Sequence, residues 1–142
     1  MFKVYKVVRV ESDGRLSSAC NRNEFPDEFR VYYQINKVTK PKVKKSMLFA
    51  FRDMQEAKDF RDSLSSRHKI YIAESPDLYK NILPQHIHFF KNNKNIFIKF
   101  WSDLFSAKKA KKKMDKIGCP MNFNYNSSVC CSSIKLIEEL HV

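Results

Sequence analysis

Valine and tyrosine side chains crowd residues 2–11 (Val4, Tyr5, Val7, Val8, Val10), a composition that favours extended backbone. Asp13-Gly14 follows as a two-residue turn signal ahead of residues 15–20, so the pattern predicts a β-hairpin. A polar break at residues 21–27, containing Pro26, leads to FRVYYQI at residues 29–35, which again suits a strand. Residues 37–45, rich in lysine and holding Pro41, read as a solvated loop or extended arm. The apolar run at residues 46–51 reads as a buried strand, and Asp53, three residues before Glu56, makes a capping-box-like helix start. Met54, Ala57, Phe60 and Leu64 recur at spacings of three and four and give that helix one apolar face through residue 64. Residues 69–74 alternate as a strand, which Ser75-Pro76 ends.

Beyond Pro76 the pattern predicts one or two helical turns over residues 77–83, then a short apolar run at residues 96–101 that is read as a strand. Ser102 or Asp103 caps a helix on which Leu104, Ala107, Ala110 and Met114 share a face, with Gly118 ending it and Pro120 beyond. Residues 133–138 read as a closing strand. The expected fold class is α+β: a small, mostly antiparallel sheet, built from the N-terminal hairpin and further strands, packed by one or two amphipathic helices. One domain is expected over residues 1–142, with a strand-rich core over 1–75 that includes the helix at 53–64. A lysine-rich helical insertion and the closing strand would occupy 76–142.

A chain of 142 residues, 43% hydrophobic and 13% aromatic, is long enough to bury about two-thirds of its unfolded surface and far from the composition of disordered chains. Lys3, Lys6 and Arg9 interrupt the apolar start, so no signal-peptide core is visible, and the longest apolar runs fall far short of the roughly 20 residues that cross a bilayer. Cys20, Cys119, Cys130 and Cys131 are too few and too unevenly spaced for a disulfide framework and read as reduced thiols, which points to a cytoplasmic setting. On the same ground the glycosylation-like Asn126-Ser127-Ser128 reads as accidental.

The net charge of +12 sharpens this picture because it is local. Residues 37–45 carry five lysines and no acid, and residues 91–116 carry nine lysines against Asp103 and Asp115; the remainder balances thirteen basic with thirteen acidic side chains. On the expected second helix, Lys108, Lys109, Lys112, Lys113 and Lys116 project to one broad side, with Lys111 between them. With Lys37, Lys40, Lys42, Lys44 and Lys45 they form the candidate anion-binding set. Such a surface is either solvated or a seat for phosphates, and nucleic acid is the commonest polyanion. Trp101, Phe100, Phe123 and Tyr125 are candidates to stack on bases, although core packing is the commoner fate of aromatics.

Other chemistry finds little support. His86-Ile-His88 has a metal-compatible spacing but no third ligand in sight, so neither a metal nor another cofactor is expected. Gly14 and Gly118 are the only glycines, which excludes a glycine-rich phosphate loop, and neither a nucleophile elbow nor a metalloprotease motif occurs. Arg9, Arg30, Arg52 and Tyr71 are the candidate lining of a pocket on the sheet, the reading that a small-nucleotide binder or an enzyme with a dispersed site would require.

The segments YKVVRVESDGRLSSA (residues 5–19), LFAFRDMQEAKDF (48–60) and KIYIAES (69–75), with the aromatic strand at 29–35 between them, resemble small uncharacterised domains of phages and prokaryotic genomes. SSIKLIEEL at residues 132–140 matches their closing strand, whereas residues 76–128 depart from the pattern. The resemblance implies a compact α+β fold and a viral or prokaryotic cytoplasmic setting, and it transfers no functional residue. The expected function is a non-enzymatic, virus- or phage-type protein that binds nucleic acid or a phosphorylated ligand through its lysine-rich face, with no membrane involved. The alternatives are a viral structural protein or host-defence antagonist that docks another protein, and the nucleotide-binding or enzymatic reading above.

Overall fold

In the computed structural model, the residues described are 1–19, 30–43, 46–64, 66–80, 83–84, 121–122 and 127–142. The β-branched N-terminal run forms β1 (Phe2–Val10), which turns at Asp13-Gly14 into β2 (Leu16–Ser18) with Val8 opposite Ser18 and Val10 opposite Leu16. Gly14 sits at φ 87°, where a side chain would be strained, and its amide donates to the Glu11 carbonyl at 2.9 Å. The chain continues through β3 (Tyr32–Tyr33), β4 (Val38–Thr39), β5 (Leu48–Phe51), α1 (Met54–Asp62), β6 (His68–Ser75), β7 (Tyr79–Lys80), β8 (Leu83–Pro84), β9 (Met121–Asn122), β10 (Ser128–Cys131) and β11 (Ile134–Leu140). Among the described residues nine strands make one antiparallel sheet in the order β4-β11-β6-β1-β5-β10-β7, with β2 and β3 branching from β1, and β8 pairs β9 separately. This is the mostly antiparallel α+β fold that the pattern predicts.

The sheet is strongly curled, and chain connectivity shows why. Between β10 and β11 lie β5, β1 and β6, so a flat sheet would set them four steps of about 4.8 Å apart, roughly 19 Å. Yet Cys131 and Ile134 are only three residues apart and span at most about 11 Å. The short links from β3 to β4 and from β6 to β7 impose the same closure. The inner face therefore buries Val4, Val8, Leu48, Ala50, Ala73, Val129, Ile134 and Leu136 without a covering helix. The outer face buries Val7, Phe51 and Ile70 against Ala57 of α1, with Phe60 and Leu64 packed alongside. Burial on both sides of β1 explains its nearly continuous apolar composition.

Asp53 caps α1, its side chain accepting from the Glu56 amide at 2.9 Å. The capping box does not close, however. Glu56 takes instead the Ser127 amide at 2.7 Å and the Ser127 hydroxyl. At the other end of β10, Asp77 repeats the arrangement, accepting the Ser132 amide at 2.8 Å and the Ser132 hydroxyl. Two carboxylates thus clamp the four-residue strand β10 at both ends. Asp53→Ala is expected to cost about 1 kcal/mol by loss of the cap, read from the denaturant midpoint. Glu56→Ala and Asp77→Ala should each cost about 1–2 kcal/mol, since each leaves two donors without their charged acceptor; an unchanged midpoint in either would refute the clamp.

Several expectations need correction. Residues 37–45 are not wholly loop, because Val38–Thr39 is strand β4 on β11, positioned by a turn in which Asn36 takes φ 64° and donates to the Leu136 carbonyl at 2.8 Å. Of the strand expected at 29–35, the described residues 30–35 form strand only at Tyr32–Tyr33, because that turn follows it. The helical turns expected at 77–83 are strands β7 and β8, since Asp77 spends its side chain on Ser132 rather than capping a helix. Residues 128–131 form a strand of their own, and the closing strand runs on to Leu140. Met54 is exposed rather than on the packed face of α1. The strand expected at 96–101 and the helix beyond it lie outside the described residues.

Candidate nucleic-acid interface

Direct register places lysines from distant parts of the chain on one stretch of the outer sheet face. Lys3 of β1 lies opposite Glu74 of β6, Glu74 opposite Lys135 of β11, and Lys135 opposite Val38 of β4. Residues paired directly across antiparallel strands share a face, so Lys3, Glu74, Lys135 and Val38 form one transverse row. Lys37 and Lys40 flank β4 and Lys42 follows, all three exposed. Lys3 and Lys135 therefore flank Glu74 on this face, Lys37, Lys40 and Lys42 border the adjoining edge strand, and none of the five forms an ion pair among the described residues. Lys3 also lies 5.5 Å from the Tyr5 ring centroid. Val38, 58% exposed, adds apolar surface at the centre of the patch.

A short edge strand bordered by lysines and Pro41 matches the way sheets avoid pairing edge to edge. That role accounts for Lys37, Lys40 and Lys42. It does not account for Lys3 and Lys135, which lie on strands that are already paired on both sides. Chain distance hides their membership in the patch: nothing in the sequence around residues 3 and 135 marks either as a neighbour of residue 38. Lys44 and Lys45, and the whole set Lys108, Lys109, Lys112, Lys113 and Lys116, lie outside the described residues, as do His86, His88 and the aromatics Phe100, Trp101, Phe123 and Tyr125.

Of the four candidate pocket residues, the structure brings two together. Arg9 and Arg30 both approach Oε1 of Glu11, at 3.7 and 3.5 Å, and the Ser17 hydroxyl donates to the same oxygen at 2.6 Å. Arg9 is paired with Ser17 on one side and His68 on the other, and all three are buried on the outer face. The other two residues lie elsewhere. Arg52 is exposed beyond the end of β5, and Tyr71 is buried in the inner cluster, its hydroxyl 3.4 Å from Glu139. The Arg9 cluster and the lysine patch occupy opposite ends of β6, about 20 Å apart at strand rise, because His68 begins that strand and Glu74 nearly ends it.

The inner face holds a charge that the sequence pattern does not foretell. Lys6 is buried in the core, its ammonium donating to the Phe49 carbonyl at 2.5 Å and lying 5.4 Å from the Tyr33 ring centroid. The position follows from a change of partner. β1 pairs β5 at Tyr5–Phe51 and pairs β2 from Val8 onward, and Lys6 reaches the Phe49 carbonyl between these two pairings. Burial lowers the Lys6 pKa to about 8, while burial raises the Tyr33 phenol and the Cys130 and Cys131 thiols above their ordinary values.

Among the described residues no group of three or more His, Cys, Asp or Glu side chains is arranged to hold a metal ion, and no helix is long and apolar enough to cross a membrane. No protein-family model, curated protein or solved structure matches the chain.

Proposed function

We propose that this protein acts by binding a phosphate-bearing polyanion, nucleic acid being the class that best fits, through the lysine patch around β4. One observation carries the reading: Lys3 and Lys135, far apart in the chain, stand on either side of Glu74 in one row that ends at Val38 of β4, the strand that Lys37, Lys40 and Lys42 border. Lysines on a convex, mostly polar surface act as point charges on phosphates, so affinity rather than sequence selectivity is the expected property. The overall charge of +12, to which the lysines of residues 91–116 contribute, is consistent with an anionic partner. A virus- or phage-type setting belongs to this proposal and rests on the resemblance of the N-terminal half alone.

Fluorescence anisotropy with labelled single- and double-stranded oligonucleotides tests it. Binding at about 50 mM salt should weaken by a factor of ten or more at about 200 mM, because each neutralised phosphate releases condensed counterions. Absence of binding even at the lower salt would dismiss the proposal and turn the search to an acidic protein surface.

A further inference from the structure

The lysine row borders an aromatic ring, which narrows the class of polyanion; this inference rests on the function proposed above and deepens it. Next to the row of Lys3, Glu74, Lys135 and Val38, the outer face carries Phe51, Tyr5, Ile72 and Glu138, paired in that order across β5, β1, β6 and β11. α1 packs over the Phe51 end, where Val7, Ile70 and Ala57 are buried, and leaves Tyr5 and Ile72 half-buried. Tyr5 is thus anchored on the helix side, and on the other side its ring reaches Lys3, whose ammonium lies 5.5 Å from the ring centroid. We propose that Tyr5 is a stacking platform for a base, so that the patch takes single-stranded nucleic acid with one base laid over Tyr5 and Ile72.

Two features favour a single strand over other polyanions. Glu74 stands between Lys3 and Lys135 and forms no ion pair among the described residues, and Glu138 is exposed at the far end of the second row. A bare run of phosphates meets partial repulsion there, and charge alone gives weak binding. Stacking supplies a further contribution, because every base has a π face that an aromatic side chain can take. Lys3, in turn, serves both parts of a nucleotide. Its ammonium lies over the Tyr5 ring in the free protein, and a phosphate draws it away and opens the ring to the base. A duplex keeps its bases inside the stack and offers this face only its backbone.

Fluorescence anisotropy and photocrosslinking of the full chain test the platform. At about 50 mM salt a labelled single-stranded oligonucleotide should bind at least about five-fold tighter than an abasic strand with the same number of phosphates. Tyr5→Leu should remove about five-fold of the affinity for the base-bearing strand and leave the abasic strand and a duplex unchanged, while Tyr5→Phe keeps the affinity. A strand carrying 5-iododeoxyuridine, irradiated with the unaltered chain, should crosslink at Tyr5, which decides the matter should Tyr5→Leu disturb the packing under α1. Equal affinity for the abasic strand, or crosslinks that miss Tyr5, would overturn the stacking platform and leave the phosphate-binding surface standing. Failure of every strand to bind would dismiss that surface as well.

Discussion

Raising the pH from about 7.5 to about 9.5 should stabilise the protein relative to its Lys6→Met variant by about 2 kcal/mol. The sign follows from proton binding. Lys6 has a pKa of about 8 in the folded chain and an ordinary value of 10.5 when unfolded, so between those limits the unfolded state holds the extra proton. Stability then rises with pH, and the burden of the buried charge, about 3 kcal/mol near neutrality, is relieved as the ammonium loses its proton. Tyr33, Cys130 and Cys131 act oppositely, since burial keeps them protonated after their unfolded counterparts ionise. They are present in both proteins, and because burial, the largest influence on each, keeps them protonated in the folded chain with or without the Lys6 charge, the difference between the two reports chiefly on Lys6. At neutral pH the variant should be close to the unaltered chain in stability. Removing the charge gains about 3 kcal/mol, but it ends the Lys6 hydrogen bond to the Phe49 carbonyl and the interaction with the Tyr33 ring, a combined cost of about 1–3 kcal/mol. Denaturant unfolding at several pH values gives the result directly, and a pH-independent difference would mean that Lys6 reaches solvent.

The parts of the fold that the sequence reveals are those decided locally. Asp13-Gly14 declares the hairpin because few other dipeptides take the turn, and Asp53 declares the start of α1 because its carboxylate reaches only the first turn. What stays hidden is decided by distant partners. Val38-Thr39 is a strand only because β11 offers an edge, and nothing in a run of lysines predicts that. Lys6 sits among valines like any solvent-facing strand residue, yet the curl of the sheet turns it inward, while Arg9 is buried on the opposite face. The same limit governs the sites. Arg9 and Arg30 meet at Glu11 because β2 pairs with both β1 and β3 and so brings the segment of Arg30 beside β1, whereas Arg52 and Tyr71, equally plausible by composition, fall on an exposed end and in the core. The lysine patch is half legible: residues 37–42 are conspicuous in the chain, but Lys3 and Lys135 join them only through the pairing of β1, β6, β11 and β4.

That pairing is also where the functional proposal is most exposed to test. If five lysines from three segments form one phosphate-binding surface, then removing the two that no edge-protecting role explains must reduce the number of phosphates neutralised. The dependence of log K on log salt should become shallower by about 0.7 for each phosphate no longer neutralised on a single strand and by about 0.9 on a duplex. The decisive measurement is therefore the salt slope of oligonucleotide binding for the unaltered chain and for Lys3→Gln/Lys135→Gln. A slope shallower by about 1.4–1.8, with affinity at about 50 mM salt down about ten-fold or more, is the expected result. An unchanged slope and affinity would show that these lysines are solvated and that the patch around β4 is not the binding surface.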